Sequence, residues 1–91
     1  MEQKSKMFFA TVESNGARND RVAAAIRLAA EASAAFAESG DQFERGMCEG
    51  AIYAIRALHG IVSPIYTGSH LTKVYTEDCT YTITYKQDNG A

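Results

Sequence analysis

The residues of this chain with chemistry to offer are two cysteines, two histidines and five tyrosines. Cys48, Cys79, His59 and His70 are the right types for zinc. Their spacing is wrong: no pair stands as C-x-x-C or H-x-x-x-H, so no local turn presents two ligands together. His59 falls in the last turn of a predicted helix, where an imidazole interacts favourably with the carbonyl end. A nucleophilic enzyme would need Cys48 or Cys79 beside a histidine and a third orienting group. None of these residues sits in a signature segment. Gly16, Gly40, Gly60 and Gly68 are isolated and form no phosphate-binding pattern. Glu77-Asp78 reads as a solvated turn, with no neighbour to raise a carboxyl pKa. The expectation is a non-enzymatic chain with no metal and no cofactor.

The tyrosines point elsewhere. Tyr66, Tyr75, Tyr81 and Tyr85 fall in the last third of the chain, together with His70. In TEDCTYTITY, Thr76 to Tyr85, the residues Cys79, Tyr81, Ile83 and Tyr85 alternate with polar ones, which places them on one face of a strand. Tyr81 and Ile83 share that face with Val74 across a hairpin and are expected to face the core. Tyr75 then points outward beside Lys73, Thr80 and Thr82, and a surface of tyrosine and threonine suits binding.

Periodicity supplies the elements. Lys6 to Glu13 alternates as a strand, and Ser14-Asn15-Gly16 has turn chemistry. Asn19 or Asp20 can cap a helix over 20–39, which carries nine alanines between Arg21 and Gly40. Val22, Ile26, Ala29, Ser33 and Phe36 make its buried face, widened by Ala25, Leu28, Ala32 and Ala35. Arg27 and Glu31 can pair one turn apart on its outer side. Gly40 ends that helix, and Asp41 caps a second over 41–59, so a helical hairpin is expected. Pro64 and Gly68-Ser69 predict an irregular segment after Gly60. Strands follow over 71–76 and 79–86, with Val74 opposite Tyr81 and Thr72 opposite Ile83, and a polar tail over 87–91. The predicted fold is one α+β domain over 1–91, ordered strand–helix–helix–strand–strand. Its small antiparallel three-stranded sheet packs on an antiparallel helical hairpin.

Within the second helix, Met47, Ala51, Ile55 and Leu58 read as the core row. Gly46 and Gly50 stand one turn apart, with Ala54 and Ala57 continuing the stripe. A mid-helix glycine costs about 1 kcal/mol against alanine, so two need a reason. Close packing on the first helix is the leading explanation, and Gly50→Leu is then expected to overpack. Docking of another subunit and room for a ligand are the alternatives.

Composition narrows the function. Hydrophobic residues make up 46% and charged residues 22% of the chain, as in globular domains. A formal charge of −2 gives no basic surface for phosphates, so direct nucleic-acid binding is not expected. No apolar run reaches membrane-span length. The amino-terminal segment lacks a signal-peptide pattern and the cysteines are few, so a reduced, cytoplasmic protein is expected. Chains of this size without an assembled site commonly block or bridge a larger protein. The expected function is therefore protein binding, in the manner of phage or mobile-element accessory proteins that inhibit host defence complexes. That comparison rests on size and class alone. The contact residues expected are Tyr75, Lys73, Tyr66, His70, Arg45, Arg56, Thr80 and Thr82, in a chain whose small core favours a homo-oligomer. The alternative is a small-ligand or nucleotide sponge, with Tyr66, His70, Arg45 or Arg56 lining a site at a subunit boundary. A small enzyme using Cys48 or His70 ranks third.

Overall fold

The computed structural model describes residues 7–88. Six elements follow one another: β1 (Met7–Gly16), α1 (Asp20–Ser39), α2 (Gln42–His59), β2 (Val62–Thr67), β3 (His70–Thr76) and β4 (Cys79–Asp88). The strands form one antiparallel sheet in the order β1-β4-β3-β2. Both helices pack with the sheet, α1 against β1, β3 and β4 and α2 against α1 and β2.

The sheet has four strands rather than the three expected. The additional strand is β2, in the segment that Pro64 had marked as irregular. Proline is tolerated there because β2 is an edge, which needs hydrogen bonds to β3 alone. Opposite the Ile65–Tyr66 step the register shifts, and Thr72 of β3 is left without a partner on β2, which marks a bulge in β3. β1 also runs past the predicted turn at Ser14-Asn15-Gly16, because that segment pairs with Cys79 to Tyr81. Gly16 is required at this position. Its φ of +126° disfavours other residues, and a Cβ there would collide with the Asp78 carbonyl. β4 continues through Gln87 and Asp88, which were read as tail; Lys6 and residues 89–91 lie outside the described residues.

The helix bounds follow from their caps. The Asn19 side chain accepts from the amides of Arg21 and Val22, and Asp41 from that of Phe43. Gly40 takes the left-handed conformation, and its amide donates to the Phe36 carbonyl. The α1 face was read well: Val22, Ile26, Ala29 and Ser33 are all buried, although Leu28 is 62% exposed. Half of the predicted α2 row holds, with Ile55 buried and Ala51 packed against the core, but the buried face is turned by about one residue. Cys48, Ile52 and Ile55 are its buried row, whereas Met47 is 46% and Leu58 78% exposed. Both rows have helical spacing, and α2 carries apolar residues around most of its girth, so periodicity had no unique answer.

Tyr81 and Val74 are paired across β4 and β3 and fully buried. The β3–β4 ladder spans only Lys73 to Tyr75, so Leu71 lies beyond it. Side chains take over there. The Ser33 hydroxyl accepts from the Leu71 amide at 3.0 Å, and the Tyr85 hydroxyl donates to the Leu71 carbonyl.

Candidate functional site

Strand alternation decides what the outer face of the sheet presents. Pro64, Val74, Tyr81 and Ser14 make a row across all four strands on the helix side. The next rows lie on the opposite side: Ser63–Tyr75–Thr80–Asn15 and Ile65–Lys73–Thr82–Glu13. Four expected contact residues, Tyr75, Lys73, Thr80 and Thr82, thus stand in adjacent rows of one uncovered face. Tyr75 is 42% and Ile65 44% exposed, and the Lys73 ammonium sits 5.9 Å from the centre of the Tyr75 ring. Lysine and tyrosine at that distance attract through the ring quadrupole, which holds a large side chain in place at the surface.

The other four separate. Tyr66 and Arg45 line one pocket of about 340 Å³ between α1, α2 and the β2–β3 turn, with Ser33, Phe36, Cys48 and Glu49. Arg45 Nε donates to Glu49 at 3.1 Å, an exposed i,i+4 pair. The Tyr66 hydroxyl lies 3.6 Å from Cys48 Sγ. His70 is not part of that lining and packs edge-on against Tyr85, with ring centres 5.1 Å apart. Arg56 donates to the Val62 carbonyl at 3.2 Å and is engaged at the start of β2.

Both edges of the sheet are occupied. On β1 the Ala10 amide donates to the Glu31 carboxylate, which Arg27 also holds, and the Val12 carbonyl accepts from Arg18. On β2, Pro64 lacks a donor and Arg56 covers Val62. Charged side chains and proline at an edge discourage addition of a further strand.

Ala54 borders a groove with Arg21, Val22 and Ala25 of α1, but Gly46 and Gly50 of the same stripe make no close contact with that helix. All four residues are exposed, and a Cβ at Gly46 or Gly50 would meet no atom within 4 Å. The expected close helix contact is therefore corrected, and with it the expectation that Gly50→Leu overpacks the protomer. The reason is the turned α2 face: the stripe lies opposite Cys48 and Ile52.

Burial pushes the Cys48 thiol up, the Tyr66 hydroxyl opposes this, and Glu49 adds to it. The pocket lining contains no histidine. Cys48 and Cys79 are free and buried, and among the described residues no three His, Cys, Asp or Glu side chains converge on a metal position. No helix among those residues is long and apolar enough to cross a membrane.

Burial likewise raises Tyr66, Tyr81 and Tyr85 above their ordinary phenol value of 10.0. The folded state therefore holds these protons, and that of Cys48, more tightly than the unfolded chain does. Their contribution to stability is complete below the ordinary thiol value of 9.0 and declines as pH rises beyond it. Urea midpoints measured from neutral pH upward are expected to stay level to about pH 9 and then fall. A midpoint unchanged in strong alkali would contradict the burial of these groups.

No protein-family model, curated protein or solved structure matches this chain.

Proposed function

We propose that this protein is a non-enzymatic protein-binding module that docks through the outer face of its sheet. The observation that carries the reading is the placement of Tyr75, Lys73, Thr80 and Thr82 in two adjacent outward rows, with no layer above them among the described residues. Tyrosine supplies large contact area with few torsions to freeze, and the threonines supply hydroxyls for a polar rim. The guarded edges favour face-on docking over strand addition. A module of this kind acts by occupying part of a larger protein, and inhibition of a host complex is one form of such action.

Tyr75→Ala tests the reading. It is expected to leave stability within about 0.5 kcal/mol, as exposed substitutions usually do, and to abolish co-purification of a partner by the tagged protein. A Tyr75→Ala variant that retains the same partner at the same yield overturns the sheet face as the docking surface.

A second reading is favoured by one observation, the convergence of Arg45 and Tyr66 on a single pocket with Phe36. An arginine beside two aromatic rings could hold a small anionic, ring-bearing ligand by charge and stacking. Thermal melts against a nucleotide library discriminate the two, since a ligand that binds the native state raises the transition. A shift of several degrees with one compound, removed by Arg45→Ala, supports the pocket.

A further inference from the structure

The outer face of α2 is the least explained surface of the molecule. Phe43, Met47, Tyr53 and Leu58 are 70%, 46%, 72% and 78% exposed. They flank the exposed stripe Gly46, Gly50, Ala54 and Ala57, and at 3.6 residues per turn all but Leu58 fall on the side away from Cys48 and Ile52, with Leu58 at the border next to α1. None of the eight carries a charge. We propose that this face is covered by the same face of a second copy of the chain, forming a two-fold dimer through α2.

Three arguments converge on that occupant. The first is the glycines, which lower helix stability and meet nothing inside the protomer. A close approach that uses them comes from outside, and two helix backbones come nearest where both present small residues. A second copy meets that condition by symmetry, because a two-fold contact uses one patch twice.

The second argument is charge. Arg45 is paired with Glu49 and Arg56 is bonded to Val62, which leaves Arg21 of α1 as a cation at the border of the face, in a groove with Ala54 and Leu58. A membrane-surface helix needs a basic polar side, and a phosphate-bearing partner needs several cations; one bordering arginine supplies neither. A formal charge of −2 per chain opposes self-association only weakly.

The third is area. Four large side chains, 46% to 78% exposed, offer a sizeable apolar surface, against ~800 Å² per partner in a standard interface. A single helix face buries part of this, so the dimer belongs to the weaker, concentration-dependent class. In such a dimer the helical layers meet at the centre and the two uncovered sheet faces point away from it. If those faces bind as proposed above, the assembly is bivalent.

Sedimentation velocity across a wide concentration range tests the dimer, with Gly50→Leu and Tyr75→Ala compared against wild type. Wild type is expected to pass from monomer to dimer as concentration rises. Gly50→Leu adds apolar surface, yet it is expected to raise the dimer Kd by about tenfold or more, since the added side chain holds the backbones apart. Its melting temperature at dilution should equal or exceed that of wild type, because the protomer has room for the side chain and leucine favours helix. Tyr75→Ala should dimerise as wild type does. A wild-type chain that stays monomeric throughout overturns the proposal, as does a Gly50→Leu chain that dimerises equally or more tightly. Loss of the dimer in Tyr75→Ala would place self-contact on the sheet and overturn it too. None of these results depends on whether the sheet face captures another protein, so the two readings fail separately.

Discussion

Tyr81→Ala is expected to destabilise the fold by about 3–5 kcal/mol, the range for removing a buried aromatic. Tyr81 is 1% exposed and is among the largest fully buried side chains. Its ring stands in the middle of the core, between Val74 on β3 and the start of α1. Its hydroxyl accepts from the Asn19 amide at 3.0 Å, which ties β4 to the residue that caps α1. Truncation therefore opens a cavity and orphans a capping amide together. A chain of this length is expected to have roughly 5–14 kcal/mol in all, so much of the margin would go. Urea unfolding followed by circular dichroism measures the loss. Tyr81→Phe separates the two contributions: it keeps the volume, loses the acceptor, and is expected to cost about 1 kcal/mol. If Tyr81→Ala proves as mild as Tyr75→Ala, the assignment of inward and outward faces is reversed.

Ser33→Ala is the second large effect, about 1–3 kcal/mol from one oxygen atom. Ser33 is 2% exposed in α1. Its hydroxyl donates to the Ala30 carbonyl at 2.7 Å and accepts the Leu71 amide, which lies outside the β3–β4 ladder. Alanine fits the space but leaves a buried N–H without a partner. That penalty is the desolvation of the orphaned group, which exceeds the net worth of a typical hydrogen bond. Amide hydrogen exchange at Leu71 offers a local readout. Exchange there should accelerate more than the global loss of stability accounts for, and unchanged protection at Leu71 would contradict the assigned bond. Because Ser33 also lines the pocket beside Cys48 and Tyr66, the same variant would loosen the wall on which the ligand reading depends.

The candidate surfaces were legible in unequal measure. Alternation in TEDCTYTITY and its neighbour strand was enough to separate Tyr81 from Tyr75, because a strand has a period of two and only one face can meet the helices. The same argument placed Lys73, Thr80 and Thr82 with Tyr75. It could not place Tyr66 with Arg45, which are distant in sequence and meet only because the β2–β3 turn folds over the junction of the helices. Nor could it show that Arg56 is engaged at β2 and His70 against Tyr85. Those contacts join elements whose relative positions no local pattern encodes.

By itself the sequence determined the two helices, the cap at Asp41, the narrowing of the first cap to Asn19 or Asp20, and the inward facing of Val74, Tyr81 and Ile83. These are local matters of hydrogen-bond capping, alanine propensity and alternation. Tertiary structure alone decided that Pro64 sits in a fourth strand, since edge position is a property of the sheet and not of the segment. It also decided which side of α2 is buried. That helix has two apolar rows at equally valid spacing, and only contact with α1 and β2 selects Cys48, Ile52 and Ile55 for the core. The consequence reaches furthest at Gly46 and Gly50, which belong to the outside of the molecule.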